Sequence, residues 1–89
     1  MSHKTKTEKA YHDKIANLGC IICNAPACVH HIREEQGMGQ RSSHYLVIPL
    51  CYEHHQGEFS IHRTPKSFTN IYGSELDQLA QTIERLNDT

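Results

Sequence analysis

The chain has 89 residues, of which 37% are hydrophobic and none is tryptophan, and it carries a formal net charge of −1 with histidine neutral. A core of that size stabilises a fold weakly, so a staple is expected: disulfides, a metal or a partner subunit. The charge balance excludes a bulk electrostatic affinity for nucleic acid, and no apolar run approaches membrane-spanning length.

The polar start MSHKTKTEKAYHD holds no apolar segment of the secretory kind, so a cytoplasmic protein is expected. From about 5 to 18 the spacing predicts a helix. Tyr11, Ile15 and Leu18 recur on one face, Thr5 or Thr7 can cap the start, and Gly19 stands where a left-handed residue ends a helix. Cys20-Ile21-Ile22-Cys23 follows on a tight turn, continued by Asn24, Ala25 and Pro26. Residues 27–32 read as a short strand with His30-His31 near its end. Residues 33–43 hold Gly37 and Gly39 and read as a loop. Residues 45–48 read as a second strand, antiparallel to the first and closed by Pro49 and Leu50.

Cys51-Tyr52-Glu53-His54-His55 opens a short helix that Gly57 weakens, and residues 60–62 form a turn or a last helical turn. Pro65 starts another short helix, which Gly73 stops. Ser74 with Asp77 resembles a capping box, and Leu76, Leu79, Ala80, Ile83 and Leu86 then repeat at helical spacing to about residue 87. The acids of this last helix are expected to face solvent. The whole reads as one α+β domain over 1–89, with a core of about 18–64 between flanking helices of about 5–18 and 74–87.

All four cysteines and six of the eight histidines fall between Cys20 and His62. Without a secretory context, cysteines spaced near histidines read as metal ligands before disulfides. CxxC at Cys20 and Cys23, then CxxH at Cys51 and His54, supply four N/S donors, the closed set that structural zinc favours. Cys28 is the competitor; its neighbours suggest a buried thiol. His30, His31, His44, His55 and His62 exceed what one structural site needs, whereas His3 and His12 read as surface histidines. A histidine pair on the first strand and another histidine on the following helix is the ββα-metal layout. In it, strand and helix imidazoles hold one divalent ion and the neighbouring strand histidine takes a proton from water.

CxxC, HHI, GxGxRSSH, IPLCxxHH and SIH, taken together over roughly 18–72, resemble the HNH (His-Me finger) nucleases. They resemble most the phage recombination-enhancement proteins, the RecA-dependent nuclease family. The resemblance implies a metal-dependent DNA endonuclease with Mg²⁺ or Mn²⁺ as catalytic ion beside the structural Zn²⁺, working in a bacterial host cell with DNA as substrate and a RecA-type filament as a partner. It implies His30 and His55 as ligands of the catalytic ion, with His62 completing the shell or touching substrate, and His31 as general base. His44 stands where many of these proteins have the asparagine of the family's middle letter; it is open as a metal ligand, a group orienting the base, or a phosphate contact. Arg41 and Arg63 are candidates to grip phosphate bidentately, against a plain reading as solvated charge. Members of the family can carry a basic N-terminal extension, which here is only a short, weakly basic start.

Two competing readings come from other classes. A non-catalytic zinc module that binds nucleic acid or protein explains CxxC and CxxH but leaves His30, His31, His55 and His62 without a role. A small redox protein would use CxxC alone and needs an exposed, low-pKa thiol.

Overall fold

Thr5 starts the first helix with a capping box. Its hydroxyl accepts from Glu8 N–H at 3.1 Å and its own N–H donates to Glu8 Oε1 at 2.8 Å. The resulting α1 spans Lys6–Ala16 and ends through Asn17 and Gly19, whose φ of +85° suits glycine. In this computed structural model, which describes residues 4–33 and 43–88, α1 is followed by β1 (Cys28–His31), β2 (Val47–Leu50), α2 (Tyr52–Gln56), α3 (Pro65–Tyr72) and α4 (Glu75–Asn87). The fold is small α+β with a two-stranded antiparallel sheet. Its register pairs Cys28 with Leu50, Val29 with Pro49, His30 with Ile48 and His31 with Val47.

β2 is the centre of the packing. All four of its residues are buried, and α1, α2 and α4 pack against it. Its apolar run Val-Ile-Pro-Leu therefore reads as a strand covered on both faces rather than an alternating one. The expected second strand, 45–48, lies two residues too early, because Pro49 and Leu50 belong to the strand instead of closing it. Pro49 is inside the strand: its N and C=O face the outer edge, away from β1, where the missing N–H costs no ladder bond. Its carbonyl on that edge accepts from Ile21 N–H at 2.9 Å, which seats the cysteine turn against the sheet. The first strand is likewise shorter than the expected 27–32.

Ile15 of α1 and Val47 are fully buried, and Cys20, Ile21, Ile32, Ile48, Leu50, Cys51, Ile61, Phe68 and Leu79 form one apolar cluster. Two thiols thus belong to the core itself. α4 begins as expected, with Ser74 and Asp77 in a capping box. Its inward face differs from the expected stripe: Gln78, Leu79 and Thr82 are buried, whereas Leu76 and Ile83 are 39% and 44% exposed. Polar anchors set this rotation, since Glu75 reaches β1 and Arg85 reaches Asn24 Oδ1 at 3.1 Å. No described helix is long and apolar enough to cross a membrane.

Candidate metal centres and histidine cluster

The cysteine turn and the start of α2 meet in the core. Donor atoms of Cys20, Cys23, Cys51 and His54 all lie within 4.8 Å of one another. Cys23 Sγ is 3.7 Å from Cys51 Sγ, and His54 Nδ1 is 3.7 Å from Cys20 Sγ and 3.2 Å from Cys51 Sγ. Sulfurs about 2.3 Å from a tetrahedral ion stand about 3.8 Å apart, and sulfur–nitrogen edges are somewhat shorter. The four residues therefore fit a Cys₃His metal site of the kind that holds zinc, and all four cysteines are free thiols.

Local backbone geometry makes this possible. Asn24 N–H returns to Cys20 C=O at 2.8 Å and Cys20 N–H to Ala25 C=O at 2.8 Å, closing the knuckle. Burial pushes the Cys20 thiol up, but N–H groups of Cys51, Ile22 and Cys23 more than offset this and bring it down to about 7. A thiol that ionises readily is a better metal donor. Burial and the neighbouring thiols raise Cys51. The His54 ring is held edge-on by Tyr72, at 5.6 Å between centroids. Cys28 stays outside this set, and it is exposed rather than buried as expected. Its strand turns the thiol toward Leu50 C=O at 3.4 Å and His55 Nδ1 at 3.7 Å.

A second cluster gathers His30, His55 and His62, again within 4.8 Å of one another. Adjacent residues on a helix diverge by about 100°, so His54 turns to the thiols and His55 away from them. The chain after α2 folds back, with Ile61 N–H on His54 C=O at 2.9 Å and His62 N–H on His55 C=O at 3.3 Å. That return sets His62 Nε2 3.0 Å from His55 Nε2. Gly57 is required at this bend, because a Cβ there would lie 2.5 Å from Glu53 C=O. Burial, then the neighbouring His30 and His62, pushes His55 down to about 4. Burial likewise lowers His62, aided by His30 and opposed by Glu75. Both imidazoles are thus neutral near pH 7 with a lone pair to give, and the donor set suits a divalent ion.

His30 itself is buried and closes on Glu75 of α4, with Nε2 2.7 Å from Oε2; Glu75 Oε1 accepts Arg33 N–H at 2.7 Å. The expectation that the acids of α4 face solvent fails at this residue. Glu75 also lines an open cleft of about 480 Å³ with Arg33, Ile61, Pro65, Thr69 and Ser74.

A third cluster joins His12, His31 and His44. Successive strand residues point to opposite faces, which sends His31 toward α1 while His30 faces the second cluster. His31 Nε2 lies 3.1 Å from His44 Nδ1. Burial lowers the His31 pKa, as do His12 and His44 beside it. His12, expected at the surface, is only 4% exposed. Its Nε2–H donates to His44 C=O at 2.6 Å, and Lys4 Nζ stands 3.4 Å from its Nδ1. One signal for it was present: His12 and Ile15 are i, i+3 on one face of α1. Glu75 had no comparable signal, since its partner is 45 residues away. Arg63 is exposed beside His62, and Arg41 lies outside the described residues.

A family model described as "Protein of unknown function (DUF968)" matches residues 2–87. The chain is also 33% identical over 69 residues to the uncharacterized protein YdfU of Escherichia coli (strain K12). That similarity covers 74% of this chain and 19% of YdfU, so the chain spans about a fifth of the length of the curated relative it matches.

Proposed function

The chain belongs to the family of proteins of unknown function DUF968, and on its motif resemblance and the geometry of its histidines we propose that it is a metal-dependent DNA endonuclease with an HNH, ββα-metal core. The observation that carries this reading is the division of labour around β1. His30 joins His55 and His62, its neighbour His31 joins His44, and the Cys₃His set is separate from both. A zinc-braced fold needs only the last of these groups.

In this reading His30, His55 and His62 hold one divalent ion, Mg²⁺ or Mn²⁺. The chemistry such an ion supplies is neutralisation of phosphate charge and stabilisation of the leaving oxygen. His31 acts as general base: burial keeps it neutral, so it can take a proton from the attacking water. His44 orients it, since a hydrogen bond between the two rings fixes which nitrogen of His31 carries the proton. His12 steadies His44 through the backbone. Arg63 and Arg41 grip the phosphate. Cys20, Cys23, Cys51 and His54 would hold zinc and supply folding energy.

The finer form of the proposal rests on the motif resemblance alone: a phage-derived nuclease in the bacterial cytoplasm, linked to recombination and acting with a RecA-type filament. A second reading, a non-catalytic zinc module for nucleic acid or protein, draws on the exposed apolar side chains Ile71, Leu76 and Ile83. The two separate in a plasmid and single-strand nicking assay over several divalent ions, with and without a recombinase filament. The nuclease reading expects ion-dependent cutting. No cutting under any of these conditions, with zinc still bound, favours the module.

A further inference from the structure

The last helix brings one acidic side chain to the three-histidine cluster. Glu75 is the first residue of α4, but the helix does not need it there. Ser74 Oγ accepts Asp77 N–H at 3.1 Å, and Asp77 Oδ2 accepts Ser74 N–H at 3.1 Å, so the cap is complete without Glu75. Its carboxylate points instead across the fold. Oε2 meets His30 Nε2 and Oε1 takes Arg33 N–H, both at 2.7 Å, and the side chain is only 16% exposed. A carboxylate desolvated to this degree costs free energy unless its charge has a use or a partner.

Resting on the reading of His30, His55 and His62 as a divalent-ion centre, we propose that Glu75 is the carboxylate of that centre, a positioning residue that orients His30 and lends it negative charge. An imidazole that donates Nε2–H to a carboxylate keeps its lone pair on Nδ1, holds a fixed ring orientation and is a stronger donor to a metal. Three imidazoles alone form a neutral donor set, which suits zinc-like ions. A carboxylate hydrogen-bonded to one of these imidazoles leaves the donor atoms unchanged, but it places negative charge beside the ion and makes His30 the stronger donor. Glu75 also lines the open cleft beside the centre, with Arg33 on the same wall. The C-terminal helix therefore contributes to the chemistry as well as to the scaffold.

The test measures Mn²⁺ binding to the full zinc-loaded chain without DNA, by the loss of the free-ion electron paramagnetic resonance signal. It compares the parent with Glu75→Gln and His55→Ala and records zinc content and thermal melting for each. Glutamine keeps the length and one acceptor but not the charge. The expected result is one Mn²⁺ in the parent, a loss of binding in His55→Ala, and a weakening of about 10- to 100-fold in Glu75→Gln with zinc retained. If Glu75→Gln binds Mn²⁺ within about twofold of the parent while His55→Ala does not bind, Glu75 is a structural tie between α4 and β1 and this inference falls alone. A parent that takes up no Mn²⁺, or a His55→Ala variant that binds as the parent does, overturns the centre and the inference together.

Discussion

His31 and His44 meet ring to ring, Nε2 of the first 3.1 Å from Nδ1 of the second. They come from different segments, one on β1 and one just ahead of β2. A third residue, His12 of α1, holds the carbonyl of His44 at 2.6 Å. This chain of contacts ties the proposed base to the first helix.

The contact predicts graded effects on cutting. His44→Asn retains a group able to hydrogen-bond His31 and is expected to lose less than about tenfold in rate. His44→Ala is expected to lose about 100-fold or more, within the range for general-base catalysis. His12→Phe keeps an aromatic ring against His31 and His44 but removes the hydrogen bond that His12 makes to the His44 carbonyl. It is expected to lower stability by about 1–3 kcal/mol, read by urea titration. Equal rates for His44→Asn and His44→Ala would remove the orienting role from His44.

Three of the cysteines belong to the group that could hold a metal, and Cys28 stands outside it. Cys51→Ser is expected to lose zinc and to melt far below the parent, because zinc binding and folding are coupled. A strong chelator should unfold the parent in the same way. Cys28→Ser, outside the Cys₃His set, is expected to keep one zinc and melt close to the parent. Zinc content by atomic emission, alongside circular dichroism, separates the two; loss of zinc in Cys28→Ser would redraw the set.

Gly57 is a packing constraint on the bend that carries His62. A Cβ at this position would meet Glu53 C=O at 2.5 Å. Gly57→Ala is expected to cost about 1–3 kcal/mol, as overpacking does, and to weaken Mn²⁺ binding because His62 no longer sits against His55. Denaturant titration and ion binding check the two halves of this expectation.

Legibility of the fold followed from how local each signal is. CxxC and CxxH could be paired because two donors on one tight turn converge by geometry alone. The cap of α4 could be read from Ser74 and Asp77 because a capping box spans four residues. His30 and His55 could be grouped from a strand–helix layout, whereas the resemblance left His62 open between the metal shell and the substrate. What sequence did not yield was the rotation of helices about their axes. α4 was oriented by its apolar repeat, yet Glu75 and Arg85 hold it turned so that Gln78 and Thr82 face inward. His12 was assigned to the surface because a histidine in a polar segment carries no partner's name. Pro49 and Leu50 read from sequence as the close of a strand that in fact contains them, because the sequence does not say which edge the proline's missing N–H faces.

The central claim is that His31 is the base of a nuclease whose fold does not depend on it. The direct measurement is initial-rate nicking of supercoiled plasmid by zinc-loaded parent and His31→Ala in Mn²⁺, with melting curves taken on the same preparations. The account predicts that the parent cuts, that His31→Ala is slower by about 100-fold or more, and that both hold one zinc and melt within a few degrees of each other. Cutting by His31→Ala at the parent's rate would contradict it.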